Sequence, residues 1–289
     1  ARRRPVWARP AVVWFLSFQP DRGRPLTSGG TTQAESQARR ALVLHDRPVQ
    51  WACDRRNWRG CCPLKRLPSR STMSRRLRSA GVQQLLRSLE RTLVEQGRRS
   101  WCRLIDGKPL PVSGHSQAQG VGYGRTTRGM GKGYKFHGVF DEFQGFVNWR
   151  IKPMNVNESK VAHELIAELS TGGYLVGDNQ FDQNPLYEAA GRRSIQLLAP
   201  RRKNAKGLGH VRHSPYRLRA IDMLARPFGQ ALLHARRRIE SIYSQFTGLA
   251  FGLAPLPNWV RTAGRVENWV RAKLIFFTAY RRRQKTYGV

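Results

Sequence analysis

Acidic residues are scarce in this chain of 289 residues: 18 Asp and Glu stand against 52 Lys and Arg, and the formal net charge is +34. A positive field of this size favours a polyanionic partner, either nucleic acid or an anionic membrane surface. No apolar run approaches the roughly 20 residues that a membrane-spanning helix needs. We therefore expect nucleic acid, and no membrane, as the partner.

Cysteine is also rare, and nucleotide-binding motifs are missing. The four cysteines include no CxxC pair, so a zinc site of the usual spacing is not expected. The glycine-rich basic segment 114–133 contains neither the dinucleotide fingerprint nor the GK[ST] ending of a P-loop. It is interpreted as a mobile loop that lies over DNA.

The chain is long enough for one sizeable core and a smaller domain. Residues 1–41 mix Pro, Gly, Ser and Arg without periodicity, and they are expected to form a poorly ordered or degenerate segment. Residues 42–99 show helical patterns, while residues 100–289 mix strand and helix patterns. We expect a helical DNA-binding domain followed by an α/β domain with a basic C-terminal helix.

A short basic helix is predicted near residues 67–78. Ser69 or Ser71 can cap it, and Met73 and Leu77 give it one apolar side. Its other sides carry polar and basic residues that are candidates for DNA contact: Arg70, Ser74, Arg75, Arg76 and Arg78. This pattern suits the second helix of a helix-turn-helix, although an ordinary solvated basic helix explains it equally well. A further helix is predicted over residues 82–96.

The pattern after residue 100 predicts a mixed sheet flanked by helices. A strand at 101–105 ends at Asp106, and segments 134–140 and 146–151 form a hairpin. Helices and strands then alternate, with a strand at 174–177 that ends at Asp178. If the first strand is central and the fourth pairs beside it in parallel, these two carboxylates lie side by side. One long helix from Pro227 would bring Glu240 to the same place.

Three carboxylates at one place point to divalent metal ions. Asp106, Asp178 and Glu240 would repel one another strongly unless cations compensated them. Oxygen ligands suit Mg²⁺ or Mn²⁺, and two ions can activate a water or a 3′-hydroxyl and stabilise the leaving oxygen. Further basic residues are predicted to position the phosphodiester backbone: Lys132, Lys135, Arg201, Arg202, Lys203 and Arg236.

Other acidic residues compete for the metal role. Asp182 follows the strand that ends at Asp178 and is interpreted as a turn residue or helix cap. Asp141 and Glu142 are interpreted as part of a hairpin turn. Without a working metal site, the chain would be a non-catalytic DNA-binding regulator that uses the helix-turn-helix alone. A metal-dependent nuclease that cuts without strand transfer is a further alternative.

Three strings carry a resemblance to a known family: LIDGKPL at 104–110, YLVGDNQFD at 174–182 and RRRIESIY at 236–243. Together with the segment LHDRPVQWACD at 44–54, they resemble the DDE-type insertion-sequence transposases of bacteria. The resemblance covers roughly residues 42–289.

This resemblance implies a ribonuclease H-like core in which Asp106, Asp178 and Glu240 bind two Mg²⁺ ions. It implies cleavage at the ends of a mobile element and attack of the freed 3′-hydroxyl on target DNA. The upstream helices would recognise terminal inverted repeats, and the protein would act as a dimer on DNA. The expected location is the bacterial cytoplasm, in association with the nucleoid.

The sequence departs from this family in two respects. Some relatives place Tyr before the Arg and Lys after the Glu, where this chain has Leu233 and Thr247. Only 61 residues separate Asp178 from Glu240, so the large β-rich insertion of some relatives is absent. A degenerate, inactive transposase copy is therefore an alternative.

Overall fold

The computed structural model describes residues 48–58, 67–113, 118–127, 129–201, 213–247, 252–253, 256–260 and 262–287. The N-terminal segment 1–41 lies outside these residues, as do Arg202 and Lys203. The predictions made for them stay predictions, and so does the domain boundary after residue 99.

The N-terminal part is helical. It contains α1 (Val49–Ala52), a 3₁₀ turn (Arg55–Trp58), α2 (Arg70–Leu77) and α3 (Ala80–Glu95). The backbone N–H of Thr72 donates to Ser69 Oγ at 3.2 Å, which caps α2. Met73 is fully buried against Ala52. The short basic helix with one apolar side and the longer helix after it are therefore confirmed.

Six strands form one sheet: β1 (Cys102–Pro111), β2 (Gly122–Thr126), β3 (Gly129–Asp141), β4 (Gly145–Pro153), β5 (Tyr174–Val176) and β6 (Gln196–Leu198). The order is β2-β3-β1-β5-β6, and β4 pairs with β3. β3 pairs antiparallel with β1 and β4, whereas β1–β5 and β5–β6 are parallel. With β1 central, this is the ribonuclease H-like arrangement, and the predicted α/β mixed sheet is confirmed.

Two details of the predicted sheet were wrong. β1 does not end at Asp106 but continues to Pro111, because Asp106 pairs with Gly138 of β3. The supposed loop at 114–133 contains β2 and the start of β3, which pair as a hairpin. Glycine here serves close backbone approach, since a Cβ at Gly133 would collide with the carbonyl oxygen of Leu110.

The two faces of the sheet are covered by different helices. Successive side chains of a strand point to opposite faces, and Asn148 and Trp149 of β4 show which helices lie where. Asn148 Nδ2 donates to the Leu165 carbonyl of α4 (Glu158–Ala167). Trp149 Nε1 instead donates to Glu90 of α3, which also accepts from Arg271 of α9 (Ala263–Tyr287). Thus α4 packs on one face, and α3 and α9 pack on the other.

The remaining elements include a 3₁₀ turn and four helices: Asn179–Phe181, α5 (Asn184–Arg192), α6 (Pro215–Leu224), α7 (Pro227–Ala235) and α8 (Arg237–Thr247). The prediction of one long helix from Pro227 was wrong, because the helix breaks at Arg236. Its N–H bonds the Leu233 carbonyl at 3.1 Å, and Ile239 bonds the Arg236 carbonyl at 2.9 Å. Both bonds span three residues, which tightens the chain locally.

None of the described helices combines the length and the apolar character needed to cross a lipid bilayer.

Candidate active site

Asp106 and Asp178 meet at one edge of the sheet. β1 and β5 are parallel, and Leu104 pairs with Val176. Asp106 lies two residues after Leu104, and Asp178 lies two residues after Val176. The two carboxylates therefore lie at equivalent positions along neighbouring strands. The expectation that the strand order brings them side by side is confirmed. Their position matches the place where parallel strands gather ligands, beyond the carboxyl end of β5.

Main-chain hydrogen bonds orient both carboxylates. Asp178 caps the 3₁₀ turn Asn179–Phe181, and its Oδ1 accepts from the backbone N–H of Gln180 at 2.8 Å. Asp106 Oδ1 accepts from the backbone N–H of Gly107 at 2.7 Å. One oxygen of each carboxylate is therefore fixed by the local chain, which limits the rotamers of both side chains.

The surroundings of the Asp106 carboxyl destabilise its charged form. Its pKa is raised to about 6, first by burial and then by the negative charges of Asp178 and Glu158. The hydrogen bond from Gly107 and the positive charge of Arg236 act in the opposite direction. Desolvation dominates because it penalises the charged form. A nearby cation would stabilise the charged form of this carboxyl.

Glu240 reaches this region on α8 but does not join the two aspartates. The Tyr243 hydroxyl, one turn along the helix, donates to the Asp106 carbonyl at 2.9 Å. Arg236, one turn before Glu240, pairs with it at 3.4 Å. The Glu240 side chain is 67% exposed. Within the described ranges, no group of three His, Cys, Asp or Glu side chains lies close enough to hold a metal ion.

The predicted DNA contacts on α2 are at the surface. Arg70, Arg75, Arg76 and Arg78 are exposed, and Ser74 is half-buried. The guanidinium Nε of Arg78 donates to the carbonyl of Ser74 at 3.1 Å. The exposed arginines are therefore distributed around the helix: Arg75 and Arg78 lie away from the buried Met73, and Arg70 and Arg76 flank it.

The other predicted DNA contacts differ in exposure. Arg201 is exposed, and Lys132 is half-buried on β3. Lys135, also half-buried, forms an ion pair with Glu158, and Arg236 forms the pair with Glu240. The structure thus places Arg236 beside Glu240 of the candidate site, and Lys135 beside Glu158 of α4.

Two acidic residues that competed for the metal role have structural partners. Asp182 is not merely a turn residue: its buried carboxylate pairs with Arg217 at 2.7 and 2.8 Å. The backbone N–H groups of Ser100, Phe143 and Gln144 donate to Asp141 at distances of 2.8 to 3.1 Å. The turn interpretation of Asp141 is therefore confirmed; Asp182 is the C-cap of the 3₁₀ turn, as expected, and its carboxylate also forms a buried ion pair.

Sequence reasoning missed Glu158. It is the first residue of α4, directly after the Asn157 cap, whose Oδ1 accepts from Ser159 N at 2.8 Å. An acidic residue in a first turn is ordinarily explained by the helix dipole, so the pattern gave no reason to select it. The packing of α4 on the sheet brings this carboxylate against Gly107 and into an ion pair with Lys135, on the face of β1 opposite the Asp106 side chain.

The residues at the sheet edge suit a hard divalent cation. Mg²⁺ and Mn²⁺ prefer oxygen ligands, and Mg²⁺ is usually held by one or two protein carboxylates together with substrate phosphates. Asp106 and Asp178 supply two such carboxylates, and the raised pKa of Asp106 reflects an unfavourable negative charge. These residues fit a cation that is bound by both protein carboxylates and the phosphate oxygens of a DNA substrate.

Comparison with protein families matches residues 97–267 to the family described as Transposase DDE domain. The chain belongs to the DDE transposase family. The matched range includes Asp106, Asp178 and Glu240, and DDE transposases generally use divalent metal ions. A search of curated proteins gives no match.

Solved transposase structures resemble the chain at low identity. The piggyBac transposase synaptic complex with hairpin DNA has a TM-score of 0.45 and 10% identity, over 96% of this chain and 72% of that chain. The Mos1 transposase paired-end complex with the left transposon end has a TM-score of 0.25 and 12% identity, over 91% and 84%. The fold assignment of this transposase rests on its strand order, and its family on the matched range.

Proposed function

We propose that this transposase cuts phosphodiester bonds at the ends of a mobile DNA element and joins the freed 3′-hydroxyl to target DNA. The observation that carries the proposal is the equivalent position of Asp106 and Asp178, each two residues after the paired Leu104 and Val176, inside the range matched to the family. In two-metal chemistry, such carboxylates hold the cations that activate the nucleophile and stabilise the leaving oxygen.

Each residue of the site has a separate role in this proposal. Asp106 and Asp178 bind the cations, and Glu240 completes the set from α8. Tyr243 holds α8 on β1 through its hydrogen bond to the Asp106 carbonyl. Arg236 places a positive charge beside the carboxylates, where it can contact a DNA phosphate. Glu240, now paired with Arg236, would have to leave that ion pair to bind a cation together with the two aspartates.

The DNA is held outside the site by basic side chains. The exposed arginines of α2 contact the terminal inverted repeat, and Arg201 to Lys203 with Lys132 contact the backbone near the cut. The large net positive charge supplies affinity for both element end and target. The protein acts as a dimer on the two paired ends of the element. Its location is the bacterial nucleoid.

The decisive test uses a labelled element end, the purified full chain and Mg²⁺. The unaltered protein should cut the end, and Asp178→Asn should abolish cutting while DNA binding persists. Asp222→Asn is the matched control, because Asp222 is an exposed carboxylate of α6 paired with Arg226; it should cut normally. Cleavage that survives in Asp178→Asn would contradict the site.

One observation favours a non-catalytic DNA-binding protein. Glu240 is exposed and paired with Arg236, so the three acids are not gathered within the described residues. That alternative predicts salt-sensitive DNA binding by the unaltered chain, with no cleavage in Mg²⁺ or Mn²⁺. A nuclease without strand transfer would instead cut the end and leave no joined product.

A further inference from the structure

The hairpin formed by β2 and the start of β3 has two unlike faces. Residues that pair directly across the two strands share a face, and successive residues of each strand alternate between faces. One face consists of glycines alone: Gly122, Gly124, Gly131 and Gly133. The other face carries two apolar and two basic side chains, which we call the hairpin patch: Tyr123, Arg125, Met130 and Lys132.

The glycine face is covered by the chain that follows β4. A Cβ at Gly124 would lie 2.8 Å from Met154 Cβ and 3.0 Å from its carbonyl oxygen, and one at Gly122 would lie 2.7 Å from the backbone nitrogen of Asn155. The backbone N–H of Met154 donates to the Gly133 carbonyl at 3.2 Å. The glycines allow this close approach, and it fixes the hairpin in position.

The hairpin patch, by contrast, is turned to solvent. Met130 is 74% exposed and Tyr123 is 66% exposed, and these are the two highest values for large apolar side chains in the described part of the chain. Arg125 is exposed too, and Lys132 is half-buried. Side chains that are directly opposite lie about 5 Å apart, so the four form one continuous surface. Such a mixture suits a partner that presents both negative charge and apolar surface, as DNA does with its phosphates and bases.

The hairpin patch lies on the same face of the sheet as the Asp106 side chain. Asp106 pairs with Gly138, and both Lys132 and Met130 precede Gly138 by an even number of residues. At about 3.4 Å per residue, they lie about 20 and 27 Å from Gly138 along the strand. The hairpin extends in the direction of the carboxyl end of β1, which is also the direction in which β5 ends, because β1 and β5 are parallel.

We propose that this hairpin is an arm that binds duplex DNA next to the cutting site. Tyr123 and Met130 lie against the bases in a groove. Arg125 and Lys132 bind the phosphates beside them. The major groove of B-DNA admits a two-stranded ribbon, and at about 3.4 Å per base pair the arm reaches base pairs roughly six to eight steps from the bond held at Asp106. The inference rests on the proposed function, to which it adds a contact with bases.

The test measures how tightly the full chain, without divalent metal, binds a fluorescein-labelled DNA duplex of arbitrary sequence. Fluorescence anisotropy is recorded at several salt concentrations. Tyr123→Ala with Met130→Ala should weaken binding about tenfold at each concentration and leave the salt slope unchanged, because apolar contacts release no counterions. Arg125→Gln should lower the salt slope by about 1. The matched control, Tyr216→Ala with Leu218→Ala, removes two exposed side chains of α6 and should leave affinity unchanged.

Three results would overturn the inference. The first is DNA affinity of the Tyr123→Ala, Met130→Ala variant that equals that of the unaltered chain; if this variant also changes the oligomeric state of the free chain in sedimentation, the patch joins two copies of the protein instead. The second is an equal loss of affinity in the α6 control. The third is a salt slope that falls in the apolar variant as it does in Arg125→Gln.

The assay separates this inference from the proposed function because it requires neither metal nor cleavage. An unaltered chain that binds DNA through the hairpin patch but does not cut an element end would refute the proposed chemistry and support the arm. Cleavage of an element end by a chain whose hairpin variants bind DNA normally would do the reverse. If the unaltered chain does not bind DNA, both proposals are wrong.

Discussion

The hydroxyl of Tyr243 donates a hydrogen bond to the main-chain carbonyl of Asp106 at 2.9 Å. The bond joins residues that are far apart in sequence, one on α8 and one on the central strand. Burial raises the pKa of Tyr243 well above its usual value, and the negative charges of Asp106 and Glu158 add to this. The hydroxyl therefore stays protonated and remains a donor.

Tyr243→Phe removes this bond and leaves the Asp106 carbonyl without its side-chain partner. We expect a loss of about 1 kcal/mol in the free energy of unfolding, measured by urea denaturation. Cleavage of an element end should slow because α8 is held less firmly at β1, while DNA affinity stays constant. Tyr216→Phe, at an exposed tyrosine of α6, is the control. Equal effects from both changes would show that the bond has no special role.

The buried pair Asp182–Arg217 predicts a large stability effect. The Asp182 side chain is 1% exposed and that of Arg217 is 12% exposed, so Asp182→Asn leaves a largely enclosed guanidinium without its counter-charge. Loss of one partner of a buried pair costs roughly 3 to 5 kcal/mol. Asp222→Asn breaks an exposed pair and should cost less than about 0.5 kcal/mol. Chemical denaturation of both variants checks this, and a small loss for Asp182→Asn would contradict it.

The lowered pKa of His137 predicts that the free energy of unfolding decreases in mild acid. Burial, and then the positive charges of Lys135 and Lys152, lower its pKa from 6.5 to about 3. The folded protein thus keeps His137 neutral where the unfolded chain becomes protonated. The stability from this group is complete above pH 6.5 and is lost as pH falls from there toward pH 3. The expected loss between pH 7 and 5 is about 2 kcal/mol.

The measurement compares unfolding free energies at pH 7 and pH 5 for the unaltered chain and for His137→Gln. Glu158 also lies beside Gly107, so the comparison is repeated in Glu158→Gln as a control. The His137→Gln variant should lose that share of the pH dependence. An identical slope in both proteins would show that His137 is not the responsible group.

The exposed arginines of α2 predict how DNA affinity depends on salt concentration. Arg70→Gln with Arg75→Gln should weaken DNA binding at all sequences and lower the salt slope by about 1 for each lost phosphate contact. Arg87→Gln with Arg91→Gln removes the same charge from exposed positions of α3. Fluorescence anisotropy at several salt concentrations compares them. Equal losses would mean that net charge alone, and not this helix, binds DNA.

Much of the fold follows from local patterns. Apolar runs at 174–177 and 194–199 predicted the short buried strands β5 and β6, and Asn157 predicted the start of α4. Because chain order and parallel pairing together restrict the strand order, the meeting of Asp106 and Asp178 was also predictable. These features depend on residues that are close in sequence, or on the general rules for how consecutive strands and helices are connected.

The rest depends on contacts that no local pattern contains. The glycines of β2 and β3 have loop-like composition, yet they allow close packing of strands. Asp182 looked like a turn residue because its partner Arg217 lies 35 residues further on. Glu158 looked like a first-turn acidic residue because the Gly107 backbone against it belongs to a strand of another region. Glu240 was expected beside the aspartates, but the spacing of four residues from Arg236 also allowed the exposed ion pair that the structure shows.

Only Arg78 and Ser79 separate α2 from α3, and Gln83 of α3 donates to the Leu77 carbonyl at 3.1 Å. Glu90 then fastens α3 to the sheet. Under the proposed function, α2 contacts the element end and the sheet carries the cutting site, so α3 fixes the distance between the two. The number of base pairs between the recognised sequence and the broken bond would be set by the length of α3, and replacing the intervening bases should not change it.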